Sequence, residues 1–140
     1  MKSSFPIYFG FADGASRHTH NISFAAWVIY HSGELVSSGR IYLGSMINNI
    51  AEYHVVIRIL TESSSLGISQ LIINLDSQLM VRQLNCEYIV CNPVLLCFHL
   101  RVHCLERYFE FLEYKHISRE LNTITDSLSN SMLYWYIAHR

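Results

Sequence analysis

Leu71-Ile72-Ile73-Asn74-Leu75-Asp76-Ser77-Gln78 is the stretch on which the reading of the whole chain turns. An apolar run of strand length stops at a carboxylate, and the polar residues behind it have the character of a helix start. In open α/β sheets ligands bind outside the carboxyl ends of the strands, so an acid at this junction stands where a site would form. Asp and Ser are also good helix N-caps, which is the plainer reading. Three further acids in similarly exacting places bear on the choice.

Working upstream, residues 48–66 read as a helix, with Asn48 or Asn49 able to cap it and Gly67 ending it. Glu52 shares a helical face with Val56, Ile59 and Leu60, residues that should pack on a sheet. A carboxylate aimed at a core interface is costly unless something positive or hydrogen-bonding meets it. The helix dipole explains an acid in the first turn but not on that face. Before the helix come three strands joined by short connections: residues 5–12, 22–30 and 35–43, the last two linked by the turn His31-Ser32-Gly33-Glu34. They predict an antiparallel meander. Asp13-Gly14 should end the first strand, either as an ordinary turn or as an acid left uncovered where Gly lets the backbone bend.

Downstream, residues 77–84 read as a short helix, and Asn92-Pro93 opens another that runs to Arg107 with Val94, Leu95, Phe98, Val102 and Leu105 as its apolar side. The clean alternation of residues 109–115 predicts a fifth strand. After a loop over 116–121, Asn122 should cap a final helix with Ile124, Leu128, Met132 and Trp135 as its stripe. Asp126 lies off that stripe near the helix start, where capping or a surface role competes with a site role.

With 140 residues, 51% hydrophobic and 13% aromatic, the chain is expected to be one domain, 1–140, with a sizeable core. No apolar run reaches the roughly 18 residues of a membrane span. The opening Met1-Lys2-Ser3-Ser4-Phe5-Pro6 is poor signal-peptide material, so an intracellular protein is expected. Cys86, Cys91, Cys97 and Cys104 match none of the usual zinc spacings and are expected to be reduced, mostly buried thiols. His99 and His103, four apart on a helix, can grip a metal only with a further ligand; none is evident, and packing is the expectation. The formal net charge of −1 argues against a nucleic-acid binder until bound cations are counted.

The element order gives an α/β fold with a five-stranded mixed sheet, strands 1–3 antiparallel and strands 4 and 5 parallel to strand 1, flanked by helices. If the first and fourth strands are neighbours, Asp13, Glu52, Asp76 and Asp126 converge over the carboxyl edge of the sheet. Their mutual repulsion would reach several kcal/mol in a partly buried site, and divalent cations remove it. Hard oxygen ligands suit Mg²⁺ or Mn²⁺, and two such ions can activate a water and stabilise a departing 3′ oxygen. Metal-assisted phosphodiester hydrolysis is the chemistry these residue types predict.

The blocks Phe11-Ala12-Asp13-Gly14-Ala15-Ser16, Asn49-Ile50-Ala51-Glu52-Tyr53, Asp76-Ser77-Gln78-Leu79-Met80-Val81 and Arg119 through Asn130 together resemble ribonuclease H. The likeness is to the compact reverse-transcriptase-like domains of that family common in plants and some prokaryotes. The resemblance implies a ribonuclease H-like fold and endonucleolytic cleavage of the RNA strand of an RNA/DNA hybrid. It assigns Asp13, Glu52, Asp76 and Asp126 as ligands of two Mg²⁺ ions, with Mn²⁺ as substitute. It further implies that His116 assists proton transfer or product release, that Arg119 sits near the scissile phosphate, and that Asn48, Gln78 and Asn21 contact the hybrid. Contacts to 2′-hydroxyls are how such a protein tells RNA from DNA.

Several positions depart from the family pattern. Arg82, Arg101, Arg107 and Lys115 are balanced by Glu87, Glu106, Glu110 and Glu113, and the region is too short for a basic protrusion. Hybrid binding should therefore be weak and salt-sensitive, with a slope below that of a highly basic binder. Bulky residues over 25–27, and Thr125 before the last Asp, are expected to narrow the site. Two rival readings remain: a ribonuclease H-like binding module without strong activity, and a four-acid exonuclease. Such exonucleases place Tyr or His five residues before the last acid, where this chain has Leu121.

Overall fold

Aromatic and β-branched runs in the first half of the chain build an antiparallel meander, β1 (Ile7–Arg17), β2 (Ile22–His31) and β3 (Glu34–Gly44), with β2 buried without a break over 23–29. The computed structural model describes residues 6–17, 22–44 and 48–122, the side chains at 14–17, 22 and 48 excepted. The β2–β3 turn has positive φ at Ser32 (53°) and Gly33 (79°), the backbone a two-residue hairpin favours. Helix α1 (Asn48–Ser65) then carries the chain across to β4 (Gln70–Leu75), which pairs in parallel with β1. Two helices, α2 (Gln78–Leu84) and α3 (Pro93–Glu106), precede β5 (Phe111–His116), parallel to β4, and a 3-10 helix spans Arg119–Asn122. The strand order is β3-β2-β1-β4-β5, so β1 is central and neighbours β4, the condition on which convergence of the acids depended.

The core lies between the sheet and α1. Tyr53, Val55, Val56, Ile59 and Leu60 of α1 are fully buried together with Ile29 of β2 and Leu71 and Ile73 of β4. Gly10 of β1 allows this approach: a Cβ there would stand 2.6 Å from Ile59 Cδ1. Toward the β3 edge Trp27 lies over Gly39, its cross-strand partner, and the Arg58 guanidinium sits 5.7 Å from the centre of its ring. Asn92 caps α3 by accepting from the Val94 and Leu95 amides, as its Asn-Pro signature predicted.

Four local expectations are corrected. β1 does not end at Asp13-Gly14; it continues to Arg17 because β2 goes on pairing with it, Asp13 opposite Ala26 and Gly14 opposite Ala25. β5 begins at Phe111, since the amides of Tyr108 and Phe109 still bond back to the carbonyls of Leu105 and Glu106 at the end of α3. On α3, Val94 is 53% exposed, and His99 joins Leu95 and Val102 among the buried residues. All four cysteines are free but exposed, where burial was expected: two lie in the α2–α3 connection and two on α3. The stretch after Asn122 in which a final helix was expected, with Thr125 and Asp126, lies outside the described residues.

Candidate active site

The pairing of β1 with β4 ends at Ala12 opposite Leu75, and the next residue in the chain after each is a carboxylate, Asp13 still within β1 and Asp76 just past the end of β4. Beneath these acids the buried Asn74 donates from Nδ2 to the Gly10 carbonyl (3.1 Å), so a neutral amide ties the two strands together where a charge would be costly. Helix α1 brings Glu52 to the same edge, on the face it shares with the buried Val56, Ile59 and Leu60. Glu52 stands just past the first helical turn, so the dipole accounts for it even less than the sequence suggested. One carboxylate oxygen from each of Asp13, Glu52 and Asp76 lies within 4.8 Å of the others. Asp13 is buried, Glu52 is half-buried, and the Asp76 side chain is only 6% exposed.

The choice left open at Asp76 is settled by its neighbour. Ser77 caps α2, its Oγ accepting the Met80 amide (3.2 Å), so Asp76 is not the cap and lines the cleft instead. Its Oδ2 accepts from Asn122 Nδ2 (3.3 Å), and Arg119 Nε lies 4.0 Å away. The same Asn122 amide donates to the Ala12 carbonyl (3.2 Å), so one buried side chain holds the 3-10 helix against both acid-bearing strands. Burial, and then the negative charge of Asp76, push the Glu52 carboxyl from its ordinary 4.5 up to about 7, against the opposing effects of a Ser77 hydrogen bond and Arg119.

These donors fit a divalent cation. All three are hard carboxylate oxygens, the set that suits Mg²⁺, Mn²⁺ or Ca²⁺, and the raised proton affinity of Glu52 shows that the protein alone compensates its charge poorly. Asp13, Glu52 and Asp76 therefore form a group that can hold a metal ion. Glu52 and Asp76 border a cleft of about 320 Å³ whose other polar lining is Asn49, Ser77, Gln83 and Arg119, with Leu79 and Met80 as its apolar part.

The other residues singled out from the sequence are distributed unevenly. Arg119 lines the cleft and is largely exposed. Gln78 opens α2 and is exposed, one residue from the cleft but not lining it. His116 ends β5 opposite Leu75, at the same sheet edge, with an exposed side chain that does not line the cleft. Asn48 opens α1, but its side chain, like Asn21 and Asp126 altogether, lies outside the described residues. Trp27, expected to narrow the site, packs into the core instead. Sequence reasoning missed Asn49 and Gln83 as lining residues and Asn122 as the brace of Asp76; helical spacing from Glu52 was the available signal only for Asn49.

The reverse transcriptase-like family model matches residues 11–132. A bifunctional protein of Mycobacterium tuberculosis is 30% identical over 125 residues, which cover 87% of this chain and 34% of that protein. Ribonuclease HI of Halobacterium salinarum is 30% identical over 122 residues, 86% of this chain and 61% of that protein. The chain thus spans about a third to three-fifths of the length of these curated relatives. The crystal structure of RNase H1 from the same halophilic archaeon superposes with a TM-score of 0.86 at 29% identity, covering 91% of this chain and 97% of that one. LC11-RNase H1, solved in complex with an RNA/DNA hybrid, gives a TM-score of 0.82 at 27% identity over 89% of this chain and 94% of that one.

Proposed function

The chain belongs to the reverse transcriptase-like ribonuclease H family, and on that premise we propose that it is an endoribonuclease hydrolysing the RNA strand of RNA/DNA hybrids. The observation that carries this reading is the approach of Asp13, Glu52 and Asp76 to within 4.8 Å of one another at the carboxyl edge of β1 and β4. In this proposal residues 1–140 act as one domain inside the cell, with an RNA/DNA hybrid as partner. Among the described residues no helix is long and apolar enough to cross a membrane.

Asp13, Glu52 and Asp76, joined by Asp126, would hold two Mg²⁺ ions, with Mn²⁺ as substitute. When bound, such ions supply activation of the attacking water and stabilisation of the departing 3′ oxygen. The rest falls to the side chains of this chain. Asn122 keeps Asp76 in place from behind, and Arg119, exposed at the rim, offers its guanidinium to a backbone phosphate. Glu52, whose carboxyl is pushed up to about 7, still holds part of its proton at neutral pH, and positive charge beside it would favour the ionised form. Asn48, Gln78 and Asn21 supply neutral polar contacts to sugars and base edges. His116, at the strand end beside Leu75, takes the role of a proton carrier at the margin of the site.

The test is cleavage of an end-labelled hybrid with Mg²⁺ or Mn²⁺, comparing the wild type with Asp76→Asn. Internal cuts in the RNA strand, lost in the variant, are expected. Stepwise shortening from an end would instead identify an exonuclease, and equal cleavage by both proteins would remove Asp76 from the chemistry.

A further inference from the structure

A second cluster of metal-ligating side chains lies away from the three acids, between the end of α2 and the middle of α3. Cys86, His99 and His103 each bring one donor atom within 4.8 Å of the other two. The sequence offered only the two histidines, because the third donor comes from a different element and no ligand spacing links it to them. From this arrangement we infer that Cys86, His99 and His103 form a Zn²⁺ site, with the fourth position left to water.

The distances between the donors carry the argument. Zinc–sulfur and zinc–nitrogen bonds of about 2.3 and 2.05 Å in a tetrahedron place sulfur about 3.6 Å from nitrogen, and two nitrogens about 3.4 Å apart. Cys86 Sγ stands 3.6 Å from His103 Nε2, and the Nε2 atoms of His99 and His103 are 2.9 Å apart, so the imidazoles need only part by about half an ångström to admit the ion. A thiolate with two imidazoles is a donor set for zinc-like ions and a poor one for Mg²⁺ or Ca²⁺, which ask for oxygen.

The outer groups are those a histidine site needs. His103 Nδ1 is 2.6 Å from Glu106 Oε1, and Glu106 is itself fixed by the buried Tyr114, whose hydroxyl donates to Oε2 at 2.7 Å. This bond keeps the proton on Nδ1 and turns the Nε2 lone pair toward the cluster, the usual carboxylate–histidine–zinc order. Behind His99, the Tyr53 hydroxyl lies 3.5 Å from Nδ1 and donates to Gln83 Oε1 at 2.8 Å. Cys86 itself has φ of 61°, uncommon for a residue with a side chain, and its amide is bonded to the Gln83 carbonyl (3.1 Å) at the end of α2. An ion at this place would clasp the end of α2 to α3, one side chain away from the cleft through Gln83.

The experiment uses the whole chain, stripped of metal with a chelator, kept reduced by a phosphine and titrated with Co²⁺. Expected are tetrahedral visible bands and a thiolate-to-cobalt charge-transfer band that saturate at one equivalent and are abolished by excess Zn²⁺. The charge-transfer band should vanish in Cys86→Ser and stay in Cys104→Ser and Asp76→Asn, while Glu106→Gln should lower the affinity for Co²⁺ about tenfold to a hundredfold. Cys86 is exposed and Ser is nearly its shape, so the variant should fold, which circular dichroism checks. Absence of the band in the folded wild type, or its persistence in Cys86→Ser, would overturn the assignment. Neither result depends on hybrid cleavage.

Discussion

Replacing Glu52 with Gln should abolish hybrid cleavage and yet make the metal-free protein more stable above neutral pH. The Glu52 carboxyl rises from 4.5 to about 7 on folding, so between those values the folded chain binds a proton that the unfolded chain has released. Its stabilising contribution is therefore complete below about pH 4.5 and is lost as pH rises through about 7. At 1.36 kcal/mol per pH unit the whole change is about 3 kcal/mol. A neutral Gln keeps the shape, can still accept from Ser77, and carries no charge to be buried beside Asp76. In chelator at pH 8 the variant should exceed the wild type by about 2–3 kcal/mol, a rise in Tm of about 8 °C for a chain of this size. At pH 4 the two should melt together. Saturating Mg²⁺ should narrow the gap at pH 8, because the cation stabilises only the protein that can bind it well. Thermal unfolding followed by circular dichroism from pH 4 to 8 makes the comparison. A variant no more stable than wild type at pH 8, or a difference that does not change with pH, would refute the claim that Glu52 sits under electrostatic strain.

Asn122→Ala removes the amide that joins Asp76 to the Ala12 carbonyl; it should cost about 2 kcal/mol in denaturant unfolding and lower cleavage far more than it weakens hybrid binding. Gly39→Ala would drive a methyl into the Trp27 ring and should cost about 1–3 kcal/mol without touching the cleft, whereas a Tm equal to wild type would show that the ring moves freely. Arg119 is the one cation among the described residues that line the cleft, so the slope of log affinity for a hybrid against log salt should be shallower than about −5, and a slope near −10 would point to a basic surface beyond it.

How far the sequence could be read followed how local the deciding physics was. Asn92-Pro93, the Ser-Gly turn and the apolar run before Asp76 each fix their own backbone within a few residues, and the elements form where those signals stand. Glu52 was legible for a related reason: helical periodicity alone puts it among core residues. The extent of β1 was not, since only the partner strand β2 decides whether Asp13-Gly14 bends or stays paired. The same holds for Asn122, Gln83 and Cys86, whose importance comes from groups on other elements. The cysteines were expected inside because neither their spacing nor a secretory signal offered them another role, but their places on α3 and in the loop before it put them at the surface.

The most direct measurement is anomalous diffraction from crystals soaked in Mn²⁺ at a concentration that supports cleavage. Manganese peaks between the carboxylates of Asp13, Glu52 and Asp76 are expected, and they should disappear in Asp76→Asn. Crystals of active protein that show no manganese among these three side chains would contradict the account.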